Sequence, residues 1–189
     1  MAAEMFPHNS RLPGWRAAQP LWAVVLVVGC IALSTVFACA MPFAALATLA
    51  AMTCTRRYAL LMVLAAWLAN QAIGYGLLGY PWTWDSFAWG VAIGGSACLA
   101  VLVARVTLAH GSTVRAASLS FLAAFGTYEL ALYTSSFVLP GGEYGFTASV
   151  VGYVFLVNAG AAALLVLSYT LLFAVERATA APSTAARSA

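Results

Sequence analysis

A chain of 189 residues that is 64% hydrophobic and 7% charged is not an ordinary soluble domain, in which about 25% of residues carry charge. Its eight basic residues are all arginine and its acidic residues number five. The net charge of +3 is spread over short segments, a pattern that excludes a nucleic-acid partner. At about 20 residues per spanning helix, six spans take up about 120 residues, which excludes a separate soluble catalytic domain.

The expected fold is all-α, a polytopic bundle of six transmembrane helices with both termini cytoplasmic. A cytoplasmic N-terminal segment, 1–17, precedes the membrane domain, 18–175. Apolar runs there predict helices at 18–38, 41–55, 58–79, 86–108, 117–139 and 147–174. Pro42 separates the first two, which otherwise read as one long helix, and charge decides between the two readings. With six spans, Arg11, Arg16, Arg56, Arg57, Arg105, Arg115, Arg177 and Arg187 all fall on one side, while Asp85 and Glu143 fall on the other. That asymmetry obeys the positive-inside rule. A rival reading takes Arg11, Arg16, the apolar stretch from Leu21 and Ala38-Cys39-Ala40 as a signal peptide with its cleavage site, which would leave five helices of unchanged orientation. The stretch is long for such a signal. The tail 176–189, rich in Ala, Ser and Thr with Pro182, has too little apolar surface to fold and is expected to be a disordered cytoplasmic tail.

Cys30, Cys39, Cys54 and Cys98 show no CxxC spacing, so neither a zinc site nor a disulfide framework is expected. His8 and His110 lie outside the apolar runs, which leaves no ligands for a haem held between helices. No metal and no cofactor is expected. The chain has no lysine and therefore no Walker motif, and it shows neither HExxH nor GxSxG. It is read as a protein without enzymatic activity.

At about 1.5 Å of rise per residue, the bilayer centre lies about ten residues from either end of a span. Three helices carry polar side chains at that depth: Asn70 with Gln71 on the third, Glu129 on the fifth and Asn158 on the sixth. A carboxyl group there costs about 3 kcal/mol even on the lower scales, so Glu129 is expected to face the bundle interior and, with no buried basic residue to pair with it, to hold a proton or a hydrogen-bond partner. Gly126, Glu129, Tyr133 and Ser136 follow the spacing of one helix face, and Asn70 with Gly74 share a face beside Gln71 and Tyr75. Both stripes lead to the external side, the profile of a cup open outward. Each polar side chain also has a plainer reading as an interhelical hydrogen-bond partner, worth about 0.6 kcal/mol.

The external loop after the third helix is dense in aromatic residues. Trp82 and Trp84, beside Pro81 and Asp85, read equally as a lid that stacks on a flat ligand and as part of the interfacial aromatic belt. Trp89 is assigned to the belt. On the opposite hairpin Pro140-Gly141-Gly142-Glu143-Tyr144-Gly145 has turn chemistry that can bring Tyr144 over a ligand, or make a simple exposed turn. Small residues at four-residue spacing, Gly90/Gly94, Ala65/Ala69, Ala40/Ala44 and Ala47/Ala51, permit close helix approach inside the bundle or against another subunit.

Six short helices, both ends cytoplasmic, a compressed first hairpin and an outward polar cup roofed by aromatic loops resemble, over about 18–175, the substrate-binding S-components of energy-coupling factor vitamin transporters. The likeness is one of architecture and not of a diagnostic motif. It implies a multi-pass protein of the bacterial inner membrane that binds a vitamin-like molecule or metal ion from outside and passes it inward. Members of that family work either docked on a coupling membrane subunit with ATPases or alone. Their AxxxA docking seam has no clean copy on the first helix here, the nearest being Ala40/Ala44 and Ala47/Ala51 on the second, which favours a solitary, cobalamin-type member. In such members an external cysteine can ligate cobalt, and Cys39 is the cysteine near that face. The His-rich N-terminal set of metal-ion members is missing. The expected ligand is thus an organic small molecule, with Asn70, Gln71, Tyr75, Glu129, Tyr133 and Asn158 in the pocket and Trp82, Trp84, Asp85 and Tyr144 over it. The alternative function is a non-catalytic accessory or assembly subunit of a larger membrane complex. A lipid-active enzyme using Glu129 ranks last, because no second catalytic group stands at convincing spacing.

Overall fold

The computed structural model describes residues 24–26, 28–29, 41–108, 114–142 and 144–180, those from 172 onward by their backbone alone. Every regular element among them is helical: α1 (Phe43–Thr53), α2 (Arg56–Gly76), α3 (Trp84–Leu108), α4 (Val114–Ser135) and α5 (Ala148–Ala180). Residues 24–26 and 28–29 are helical as well. The rest of the expected first helix, Cys39, the cleavage motif, His8, His110, Glu143 and the end of the tail lie outside the described residues. Among the described residues three helices, Arg56–Gly76, Trp84–Leu108 and Ala148–Leu171, are long and apolar enough to cross a membrane. Helix α4 is of comparable length, but Arg115, Glu129 and several hydroxyl side chains lower its apolarity. Helix α5 runs past its expected end at 174 to Ala180, since the next proline is Pro182.

Short connections make α2 to α5 alternate in direction. The turn at 54–55, the end of α3 and the start of α4 fall at one end, and the loops 77–83, 136–142 and 144–147 at the other. Arg105, near the end of α3, reaches the carbonyl of Cys54, and Trp89, near its start, reaches that of Pro140, which fixes both ends independently. Arg56, Arg57, Arg105 and Arg115 all sit at the first end.

Helix α1 is the axis of the bundle. Its 11 residues span about 16 Å at about 1.5 Å each, half of a hydrocarbon core of about 30 Å. Every residue from Phe43 to Ala51 is buried, against α2, α3, α4 and α5. A helix this short has most of its backbone groups near an end, so its stability depends on how those groups are satisfied. Pro42 provides no side-chain cap. The side-chain oxygen of Asn158 instead accepts hydrogen bonds from the amides of Ala44 at 3.1 Å and Ala45 at 3.2 Å. At the other end Arg105 donates to the carbonyls of Cys54 at 2.9 Å and Ala51 at 3.3 Å. A carbonyl oxygen at the amino end and a guanidinium at the carboxyl end both complement the helix dipole.

The interior is built from small side chains, with Ala44, Ala47, Ala50, Ala59, Ala66, Ala97, Ala100 and Ala104 fully buried, while Leu61, Leu68, Val91, Val106, Leu130, Leu156 and Leu171 point outward. Small residues inside and branched aliphatics outside are the pattern of helices packed within lipid. Gly90 and Gly94 serve this internal packing. Gln71 lies on Gly90 and the Trp67 ring on Gly94, and Trp67 Nε1 donates to the Gly90 carbonyl at 2.7 Å. On α4 the buried stripe is Ala116, Ser120, Ala124 and Tyr128, and Ser120 donates to the Ala104 carbonyl of α3.

That stripe corrects one expectation. Gly126 and Tyr133, placed on the inward face by spacing, are exposed, and Glu129 stands at the edge of the buried face. Close approach of α3 selects the Ala/Ser side of α4, and this outweighs the polar stripe in setting its rotation.

Candidate functional site

At the end of the bundle away from the arginines lies a cavity of about 460 Å³. Asn70 and Gln71 of α2, Ser86, Trp89 and Ile93 of α3, and Tyr128, Glu129 and Leu132 of α4 form its walls, with Val154 from α5. Met41 and Phe43, at the entry to α1, close it on the inside. Tyr80 and Pro81 of one loop, Gly141 and Phe146 of the other, and Asp85 lie around its outer part.

The two loops are tied together. Trp89 Nε1 donates to the Pro140 carbonyl at 2.8 Å, and the same indole covers Gly142, where a Cβ would lie 2.6 Å from the ring. Gly141 has φ +83°, a conformation that costs glycine little and other residues much. In the opposite loop Gly79 has φ +70°, which turns the chain back so that the Tyr80 amide donates to the Gly74 carbonyl at 3.0 Å. The Tyr80 ring then covers Gly74 so closely that no side chain fits there.

Four of the ten residues expected at the site, Asn70, Gln71, Asp85 and Glu129, line this cavity. Among the described residues no protein hydrogen bond engages the side-chain amides of Asn70 and Gln71 or the carboxyl of Glu129. The other six lie outside the lining. Asn158 is fully buried below it, its oxygen taken by Ala44 and Ala45 and its amide nitrogen donating to the Val154 carbonyl at 3.0 Å. Tyr75 stands behind Ser86, hydroxyl to hydroxyl at 2.9 Å, and stacks on Phe87 with ring centres 4.8 Å apart. Trp82 packs on the outer side of that pair. Trp84 and Tyr144 are exposed to 68% and 84%. Tyr133 makes an edge contact with Phe146 at 5.4 Å and so backs a cavity wall without forming it.

Trp89, assigned to the aromatic belt, lines the cavity, and Tyr128, Phe146, Met41 and Phe43 line it without having been singled out. Trp89 follows Asp85 by four residues, so helical spacing carries a signal for it. Nothing local marks Met41 and Phe43, whose place depends on α1 lying inside the bundle.

The charge of the cavity is one-sided. Asp85 and Glu129 line it, no arginine among the described residues does, and the four arginines of the helix starts and ends lie at the opposite end. Among the described residues no group of three His, Cys, Asp or Glu side chains is placed to hold a metal ion. No family model matches the chain, and neither a curated protein nor a solved structure matches it.

Proposed function

We propose that the protein is a six-helix integral membrane protein of the bacterial inner membrane, both termini cytoplasmic, that takes a small organic molecule from outside into this cavity and passes it inward in the manner of an energy-coupling factor S-component. The observation that carries the reading is a chamber of about 460 Å³, within the size range of small-molecule sites. It reaches the depth of Glu129 and is lined by polar groups contributed by different helices. Two of the small-residue pairs considered as docking seams do not reach the surface: Ala47 and Ala51 of α1 are buried, and Gly90 and Gly94 hold Gln71 and Trp67. Among the pairs whose residues are both described, only Ala65 with Ala69 lies toward an exposed face. This favours a solitary carrier over one driven by a coupling subunit with ATPases, and the reading requires neither cofactor nor enzymatic step.

The test is calorimetry or thermal shift on the full chain in nanodiscs across a vitamin panel. Binding of one member supports the reading, and Glu129→Ala is then expected to weaken that binding by about 1 to 3 kcal/mol if its carboxyl meets the ligand. Silence across the panel counts against it.

A second reading, an accessory subunit of a larger complex, is favoured by a different feature. Helices α4 and α5 meet mainly through Phe121, Phe125 and Phe155, and beside these rings lies an apolar cleft of about 380 Å³ lined by Thr48, Ala117, Ala159 and Ala163 among others. A stoichiometric partner co-purifying through that cleft would support it.

A further inference from the structure

We propose that the molecule taken up is an organic cation, an aromatic or alkylated ammonium compound. The inference rests on the uptake reading above and adds the charge of its ligand. Two carboxyl-bearing side chains, Asp85 and Glu129, line the cavity at two places along it, together with the rings of Tyr80, Trp89 and Tyr128. Aromatic faces attract ammonium and heteroaromatic cations, most strongly where water is excluded. Carboxylates do so directly, and a charge held away from water needs an opposite charge beside it.

Among the described residues, the complementary group for an acidic ligand is missing from this end of the protein. Arg56, Arg57, Arg105 and Arg115 belong to the other end. Between Arg57 and Arg105 the chain has no basic residue, and between Arg115 and Arg177 it has none either. Every described loop and helix segment around the cavity comes from those two stretches or from 41–43. A carboxylate or phosphate ligand would meet two acids and no base. A cation meets both acids, with Asn70 and Gln71 free among the described residues to hydrogen-bond its polar substituents.

The experiment measures equilibrium binding to the full chain in nanodiscs for a series that keeps one ring and changes its charge: 1-methylnicotinamide (cationic), nicotinamide (neutral) and nicotinate (anionic), with benzyltrimethylammonium as a second cation. The expected result is binding of at least one cation about tenfold or more tighter than nicotinamide, no measurable binding of nicotinate, and loss of about tenfold in cation affinity in Glu129→Gln and in Asp85→Asn. Both variants should elute as monodisperse protein on gel filtration. Equal or tighter binding of nicotinamide or nicotinate overturns the cation assignment and leaves the uptake reading standing, as does a vitamin panel in which only neutral or acidic compounds bind. Unchanged cation affinity in both variants also overturns it. No binding of any compound in either set overturns the uptake reading itself.

Discussion

Trp89 and Pro140 are joined by a hydrogen bond of 2.8 Å from the indole Nε1 to the carbonyl oxygen, and this bond ties the first turns of α3 to the hairpin that precedes α5. Tyr80 and Pro81 border the cavity from one loop, Gly141 and Phe146 from the other. Trp89 is thus the member common to both halves of the roof.

Trp89→Phe keeps the ring and removes the donor. A net hydrogen bond is worth about 1 kcal/mol, so a bound ligand is expected to leave about fivefold faster while its association rate stays near the parent's. Stopped-flow or surface-based dissociation measurements check this. Gly142→Val, whose side chain would run into the indole, is expected to accelerate release more.

The two caps of α1 are expected to govern stability rather than ligand affinity. Asn158→Leu leaves the amides of Ala44 and Ala45 without an acceptor, and each such orphan costs about 1 to 3 kcal/mol. Arg105→Met removes the donor from the carbonyls of Ala51 and Cys54 at similar cost. Both variants should melt well below the parent in a detergent thermal-denaturation assay. Ligand affinity of the folded fraction should be unchanged, since neither side chain lines the cavity.

Adjacent glycines on α3 make a paired control. A Cβ on Gly94 would lie 2.8 Å from the Trp67 ring, whereas Gly95 has nothing within 4 Å. Gly94→Val is expected to push α2 off α3 and destabilise by about 1 to 3 kcal/mol. Gly95→Ala should be neutral or slightly stabilising, through the gain in helix propensity of about 1 kcal/mol. Parallel melting curves decide the matter.

Orientation is open to labelling. In a background with Cys30, Cys39, Cys54 and Cys98 changed to Ala, Tyr144→Cys should react with a membrane-impermeant maleimide applied to intact spheroplasts, and Arg57→Cys only after permeabilisation. The reverse pattern would place the arginine-bearing end outside and remove the outward-facing cup.

Apart from the end of α5, which runs past 174 to Ala180, the bounds of the five described helices were legible to within a few residues, because charged, proline and glycine residues interrupt the apolar runs close to where the helices end. Asn70, Gln71 and Glu129 stood out because polar groups at mid-depth in an apolar helix are costly. Two features were not legible. The inward face of α4 is chosen by Ala116, Ser120 and Ala124, whose small size matters only once α3 is in place. Asn158 carries the same signal as Asn70, a lone amide at mid-depth, and becomes a helix cap only because Pro42 starts a half-length helix beneath it. The tertiary partner, and not the residue type, separates the two asparagines.

Ala44 and Asn158 are separated by 114 residues of chain, and Ala51 and Arg105 by 54. During synthesis α1 is therefore made early and completed late. It leaves the ribosome long before either of the groups that terminate it, and for that interval its open amides and carbonyls have to be sheltered by the insertion machinery or by water at the interface. A nascent chain arrested before α5 would hold α1 unanchored and vulnerable to quality-control proteolysis, so that release of the last helix into the bilayer becomes the step that locks the first.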